Sequence, residues 1–277
     1  MNMNRKIFNR ICCIALIGWF LWAMQLFYAY YDGIDGGTEG QGRNESTLRW
    51  EQVEENVRSV WREMIKGSSQ RAISDDGQIT KPVVVIDAGH GGMDPGKVGV
   101  SGALEKEINL AIAYELKELL EQNDIMVVMT RTDDDGLYAE TDRNKKSADM
   151  KERIRLLAET APLLAVSIHQ NSFTDSKSHG AQVFYYEGSS SGKQGAELIQ
   201  EAMKRELADG NHRLAKANSS YYMLKKSSCP LVIVECGFLS NPQEEQLLMT
   251  EEYQRKVAWA VHLGVMEWMT KIVSERK

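Results

Sequence analysis

His90, His169 and Glu235 share one kind of placement: each stands at the end of an apolar run, in VVVIDAGH, LLAVSIH and LVIVE respectively. Glycines crowd the first of them, in GHGGMDPG from Gly89 to Gly96. Where glycines cluster, backbone can pass close to a ligand. Imidazole and carboxylate are the donors a hydrolytic zinc takes, with three protein ligands and a fourth position kept for water. The carboxylate that can complete such a set is Glu105, at the head of EKEINLAIAYELKELLEQ. A glutamate there is also the usual partner of a helix's positive end. Taken one at a time, each of these residues has an ordinary structural role; together they point to a metal.

The elements that must position them are legible from Lys81 onward. Apolar runs near 83–87, 126–130, 163–168, 181–186 and 231–235 alternate with helical stretches near 106–122, 147–160, 192–208 and 252–272. Such alternation predicts an α/β fold. We expect one three-layer domain, a twisted mixed sheet flanked by helices. The runs VVVID, LLAVSI and LVIVE are almost continuously apolar, as strands covered on both faces are. Functional groups in such sheets collect at the carboxyl ends of strands, where His90, His169 and Glu235 are expected.

Residues 1–32 read as a short cytoplasmic stub and a membrane anchor, because ICCIALIGWFLWAMQLFYAYY from Ile11 to Tyr31 is uncharged over about the 20 residues a bilayer crossing needs. Arg5, Lys6 and Arg10 precede it while Asp32, Asp35 and Glu39 follow; the positive-inside rule then puts the remainder outside the cytoplasm. No small-x-small cleavage pattern stands out, which favours a retained anchor over a removed signal peptide. Residues 33–80 read as a linker: DGIDGGTEGQGRNES is glycine-rich and polar, and Trp50, Val53, Val57, Val60, Trp61 and Met64 then recur at helical spacing. The catalytic domain is expected over 81–277. Cys229 and Cys236 flank a strand-like run and lie about 23 Å apart if it is extended, beyond disulfide reach, so both are expected to be free thiols.

Other chemistries are weaker. A formal charge of -6 offers no basic footprint for nucleic acid. GSSSG at 188–192 fits the G-x-S-x-G elbow, with Ser190 as nucleophile and Asp209 and His212 or His262 downstream, yet a Gly/Ser run is an ordinary loop. The same stretch fails as a P-loop, with Gln194 where Ser or Thr should bind magnesium. Asp133, Asp134 and Asp135 lack calcium-loop spacing and read as a solvated turn. His262 sits on a helix as a packing residue, and His179 and His212 fall in polar loops, His212 within reach of a substrate. Asp87 and Asn171 are candidates either for orienting a metal ligand or for capping loops, and Asn109 is either a helix-face residue or such an orienting donor.

In order along residues 81–272, VVVIDAGHGGMDPGKVG, EKEINLAIAYELKELL, VVMTRTDDD, SIHQNS and CPLVIVECGFLSNPQEEQLL resemble the zinc-dependent N-acetylmuramoyl-L-alanine amidases of the type called Amidase 3. The resemblance implies that His90, Glu105 and His169 bind Zn2+ and that Glu235 is the catalytic glutamate. It implies hydrolysis of the amide joining the lactyl group of N-acetylmuramic acid to L-alanine in peptidoglycan. The single anchor and the form SIHQNSF…CPLVIVECGFLSNP look most like the germination-specific members. Those act on spore cortex, in steps leading to muramic-δ-lactam, between the forespore membranes, and some clostridial members depend on a lipoprotein partner. The segment DGLYAETDRNKKSADMKERIRLLAE departs from the family: Arg153 matches its arginine here, but the usual Ala-Asn is missing. Retention of all four site residues speaks against a wall-binding protein that has lost its chemistry.

Overall fold

In the computed structural model, which describes residues 81–275, six strands form one sheet: β1 (Val83–Ala88), β2 (Met126–Met129), β3 (Leu164–Asn171), β4 (Gln182–Tyr185), β5 (Lys216–Ala217) and β6 (Leu231–Phe238). Their order is β2-β1-β3-β6-β4-β5. The first four of these neighbours run parallel, and β4 is antiparallel to β6. The mixed α/β sheet is the expected one. The apolar span at 11–31, the linker and the amphipathic stretch at 50–64 lie outside the described residues.

Helices cover both faces. On one side α1 (Glu105–Gln122) and α3 (Ser190–Leu207) lie on the sheet, and α6 (Glu251–Ser274) packs on both of them. Trp268 is buried there, and a Cβ on Gly264 would stand 2.4 Å from the Ile199 Cα. Only glycine lets α6 lie that close to α3. On the other side α2 (Lys145–Thr160) and the short α4 (Tyr222–Lys226) close a core of Val85, Leu157, Ala165, Met223, Leu224 and Ile233.

The helical stretches fall close to expectation, and three short elements do not appear in the periodicity at all: β5, α4 and α5 (Pro242–Leu248). Of these, α5 carried a local signal, since Asn241 caps it by accepting from Gln243 and Glu244 N–H groups and Pro242 sits in its first turn. The strands β3 and β6 also run further than expected. Their ends, HQN and CGF, continue the ladder past the polar His169 and Glu235, so these two sit within strands as register partners, not at their ends. A register shift follows between His169 and Asn171.

His262 is a packed helix residue, as expected, at 5% exposure. Asn123 Nδ2 lies 3.1 Å from its Nε2, and its Nδ1 has no hydrogen-bond partner among the described residues. Burial pushes its pKa down to about 4. Unfolded, it would titrate near 6.5, so its contribution is full above pH ~6.5 and is lost as pH falls toward 4. Urea unfolding of the full chain should therefore lose on the order of 3 kcal/mol across that window from this one group. His262→Leu should flatten the slope by that amount; an unchanged slope in the variant would contradict the assignment.

Candidate metal centre

Side chains alternate faces along a strand, and that period decides what reaches the site. Val85, Ala165 and Ile233 belong to the core under α2 and α4. Two residues on from each, the same face carries Asp87, Ser167 and Glu235, and His169 follows Ser167. Asp87 and Ser167 are register partners joined by a hydrogen bond from Ser167 Oγ to Asp87 Oδ2 at 2.5 Å. A row of polar groups thus runs along the carboxyl ends of the parallel strands, above an apolar core.

Glu105 enters from the first turn of α1 and is 2% exposed. Its Oε1 accepts from His169 Nδ1 and from the Gln170 backbone N–H, both at 3.0 Å, and its Oε2 accepts from the Lys97 N–H at 2.7 Å. His90 Nε2 lies 3.2 Å from the same Oε1. His90 Nδ1 lies 3.0 Å from Asp94 Oδ2, so both nitrogens of the ring face carboxylate oxygens. The two rings stand 4.9 Å apart and nearly perpendicular, and one donor atom from each of His90, Glu105 and His169 lies within 4.8 Å of the others. This donor set and this convergence fit a divalent metal of the zinc class. Burial alone would raise the Glu105 carboxyl, but the His169 and His90 rings outweigh it and the net direction is down. Burial likewise works against a charged His169, and Glu105 more than offsets it, pushing that ring up.

Glu235 faces the same cavity, a space of about 360 Å³ that His90, Glu105 and His169 also line. It is 9% exposed, and its Oε2 has no hydrogen-bond partner among the described residues. Burial pushes its pKa up to about 7, with the Glu105 charge adding to the rise and His169 opposing it. A carboxyl poised near neutrality with one bare oxygen is equipped to take and return a proton. Lys97 and Lys146 line one part of the cavity, and Tyr221, Tyr222 and Met223 another.

The remaining candidates separate cleanly. Asn109 is completely buried and donates through Nδ2 to Gly89 O at 3.0 Å and to Glu105 Oε1 at 3.4 Å, so it supports the cluster. Asp87 contacts Arg153, Thr130 and Ser167 and no ligand histidine. Asn171 caps its own turn at Ser172. His179 and His212 are exposed and do not line the cavity. Cys229 and Cys236 are free. The serine elbow fails on geometry: Ser190 opens α3, while Asp209 lies just beyond its far end, roughly 27 Å away along an 18-residue helix, and His262 is packed elsewhere against Asn123. Periodicity missed Asp94, four residues after His90, and Gln170, whose Nε2 donates to Asn109 Oδ1 at 3.1 Å. The signal for Asp94 was present, a carboxylate in the same glycine-rich loop as a ligand-type histidine.

Residues 84–267 match the family Amidase_3, N-acetylmuramoyl-L-alanine amidase. The chain is 34% identical over 192 residues to a germination-specific N-acetylmuramoyl-L-alanine amidase of Bacillus subtilis, covering 68% of this chain and 80% of that protein. It is 30% identical over 231 residues to the N-acetylmuramoyl-L-alanine amidase AmiA of Escherichia coli, covering 68% and 76%. Among solved structures, the CwlD amidase from Clostridioides difficile in complex with the GerS lipoprotein superposes with a TM-score of 0.67 at 40% identity, over 69% of this chain and 100% of that one. The amidase AmiC2 of Nostoc punctiforme superposes with a TM-score of 0.60 at 30% identity, over 68% and 97%.

Gly89 shows how little room the cluster leaves. A Cβ there would stand 2.3 Å from His169 Cε1 and 2.4 Å from Nε2. Gly89→Ala should therefore push the ring out of line and weaken zinc binding by about ten-fold or more, measured by chelator competition. A variant that binds zinc as tightly as wild type would show that the ring has slack.

Proposed function

The chain belongs to the Amidase_3 family of N-acetylmuramoyl-L-alanine amidases, and on that premise we propose that it is a zinc enzyme of spore cortex maturation. Its activity on peptidoglycan is that of the family: hydrolysis of the amide between the lactyl group of N-acetylmuramic acid and L-alanine. The observation that carries the zinc reading is the convergence of His90, Glu105 and His169 donors within 4.8 Å, beside the bare Oε2 of Glu235.

Zinc, when bound by His90, Glu105 and His169, supplies a Lewis acid that makes water acidic near neutral pH and polarises a carbonyl. Every other task falls to this chain's own residues. Asp94 holds His90 by Nδ1, and the Gln170 and Lys97 backbone N–H groups with Asn109 hold Glu105. Glu235 accepts a proton from the attacking water as the new C–O bond forms. It then returns that proton to the alanine nitrogen as the C–N bond breaks, which frees a lactyl carboxylate and an amine. The exposed Lys97 and the half-exposed Tyr221 and Tyr222 flank the space the stem peptide and sugar must occupy.

The cortex role rests on likeness to the germination-specific Bacillus relative and to the CwlD amidase. We extend to this chain the class of partner in that CwlD structure, a lipoprotein. The apolar stretch at 11–31 is proposed as a retained anchor, with the catalytic domain on the outer side, between the forespore membranes. The full chain should release muramic acid lactyl ends from purified peptidoglycan, lose activity to a chelator and regain it with zinc. Glu235→Ala should lower turnover by about 10²–10⁴-fold, and Ser190→Ala should not. Activity that survives chelation would end the zinc reading.

A further inference from the structure

Two guanidiniums that the proposed chemistry does not use lie buried beside the turn at His90, and Arg153 also lines the cavity. Arg131, at the end of β2, is 4% exposed, and Arg153, in α2, is 2% exposed. Arg131 donates to the carbonyls of Ala88 at 3.0 Å, Gly89 at 3.2 Å, Lys106 at 2.6 Å and Asp133 at 2.7 Å. Arg153 donates to the carbonyls of Ala88 at 2.8 Å and His90 at 2.6 Å, and its charge is met by Asp87 and Asp149, both at 2.6 Å. The carbonyls of three successive residues, Ala88, Gly89 and His90, are thus all gripped. His90 itself has φ of 64°, in the left-handed region that residues other than glycine occupy uncommonly.

A general contribution to stability does not explain this arrangement. A buried ion pair adds little net stability over packed apolar side chains. Arg131 goes further, with every hydrogen bond it makes among the described residues directed to a carbonyl and none to a carboxylate. What the two side chains share is their target, the turn that presents the His90 imidazole. We infer that Arg131 and Arg153 are positioning residues for His90, which hold the turn at Ala88–His90 so that its imidazole meets Glu105 and His169 and thereby set the affinity of the cluster for zinc. The inference rests on the metal-site reading above and extends it to two side chains outside the metal cluster.

Zinc affinity of the full chain, read by competition with a chromogenic chelator, tests this in wild type, Arg131→Lys, Arg153→Lys, Asp149→Asn and Leu120→Ala. Lysine keeps one charge but cannot span neighbouring carbonyls. Both lysine variants should bind zinc about ten-fold or more weakly and shift the visible bands of the cobalt(II)-substituted chain. Asp149→Asn leaves both guanidiniums in place and loosens one anchor of Arg153, so it should fold and weaken zinc in the same direction by a smaller factor. Leu120→Ala opens a cavity at the far end of α1; it should lower Tm while zinc affinity stays within about two-fold and the cobalt bands stay fixed. Zinc affinity and cobalt bands unchanged in Asp149→Asn and in both lysine variants would overturn the inference and leave the arginines as fold stabilisers. A wild-type chain that takes up no zinc would overturn the metal reading itself, and this inference with it.

Discussion

A carboxylate removed from water must find donors or neutralise, and the Glu105 carboxylate, 2% exposed, organises the rim of the sheet around that demand. Its four donors come from three pieces of chain: the His169 ring and Gln170 N–H on β3, the Lys97 N–H in the loop after β1, and Asn109 one turn on in α1. Each donor fixes the position of the element that carries it. The start of α1, the glycine-rich loop and the end of β3 are therefore placed relative to one another by one side chain. A site assembled this way is rigid because the alternative is an uncompensated buried anion.

The topology explains why the cluster forms where it does. From β1 the chain crosses by α1 to β2 on one side, then by α2 to β3 on the other side of β1. Crossovers of the same hand that move in opposite directions put their helices on opposite faces, as α1 and α2 are. Between β1 and β3 the two departures leave a crevice at the carboxyl ends of the strands, the usual place for a ligand in such sheets. His90 and His169 stand at that crevice, and Glu105 opens the helix that departs from it.

Much of this was legible in the sequence. Long apolar runs announced β1, β3 and β6, and residue types at their ends announced the metal. The parts that were not legible share a physical reason. β3 and β6 continue through His169–Asn171 and Cys236–Phe238 because ladder hydrogen bonds extend where hydrophobic pattern stops. Asp133, Asp134 and Asp135 read as a solvated turn, yet Arg131 just before them and Arg153 in the next helix point into the interior, where backbone carbonyls are among their partners. Contacts to backbone leave no residue pattern for a reader of sequence to find, and Asp94 was overlooked for a related reason, since its role depends on which ring nitrogen it meets.

The two glutamates of the site show how environment, and not residue type, divides the work. Glu105 has donors on both oxygens and is held down as an anion, the state a metal ligand needs. Glu235 sits opposite His169 on the next strand, nearly as buried, with one oxygen bare, and burial pushes its pKa up to about 7. Two carboxyls whose surroundings drive them apart are the arrangement that lets one site hold a fixed charge and a mobile proton together. The division follows from a count of donors: Glu105 is supplied by elements that converge on it, whereas no donor among the described residues reaches the Oε2 of Glu235. Placing a donor on that oxygen would hold Glu235 as a permanent anion and take away the proton exchange that its bare position provides.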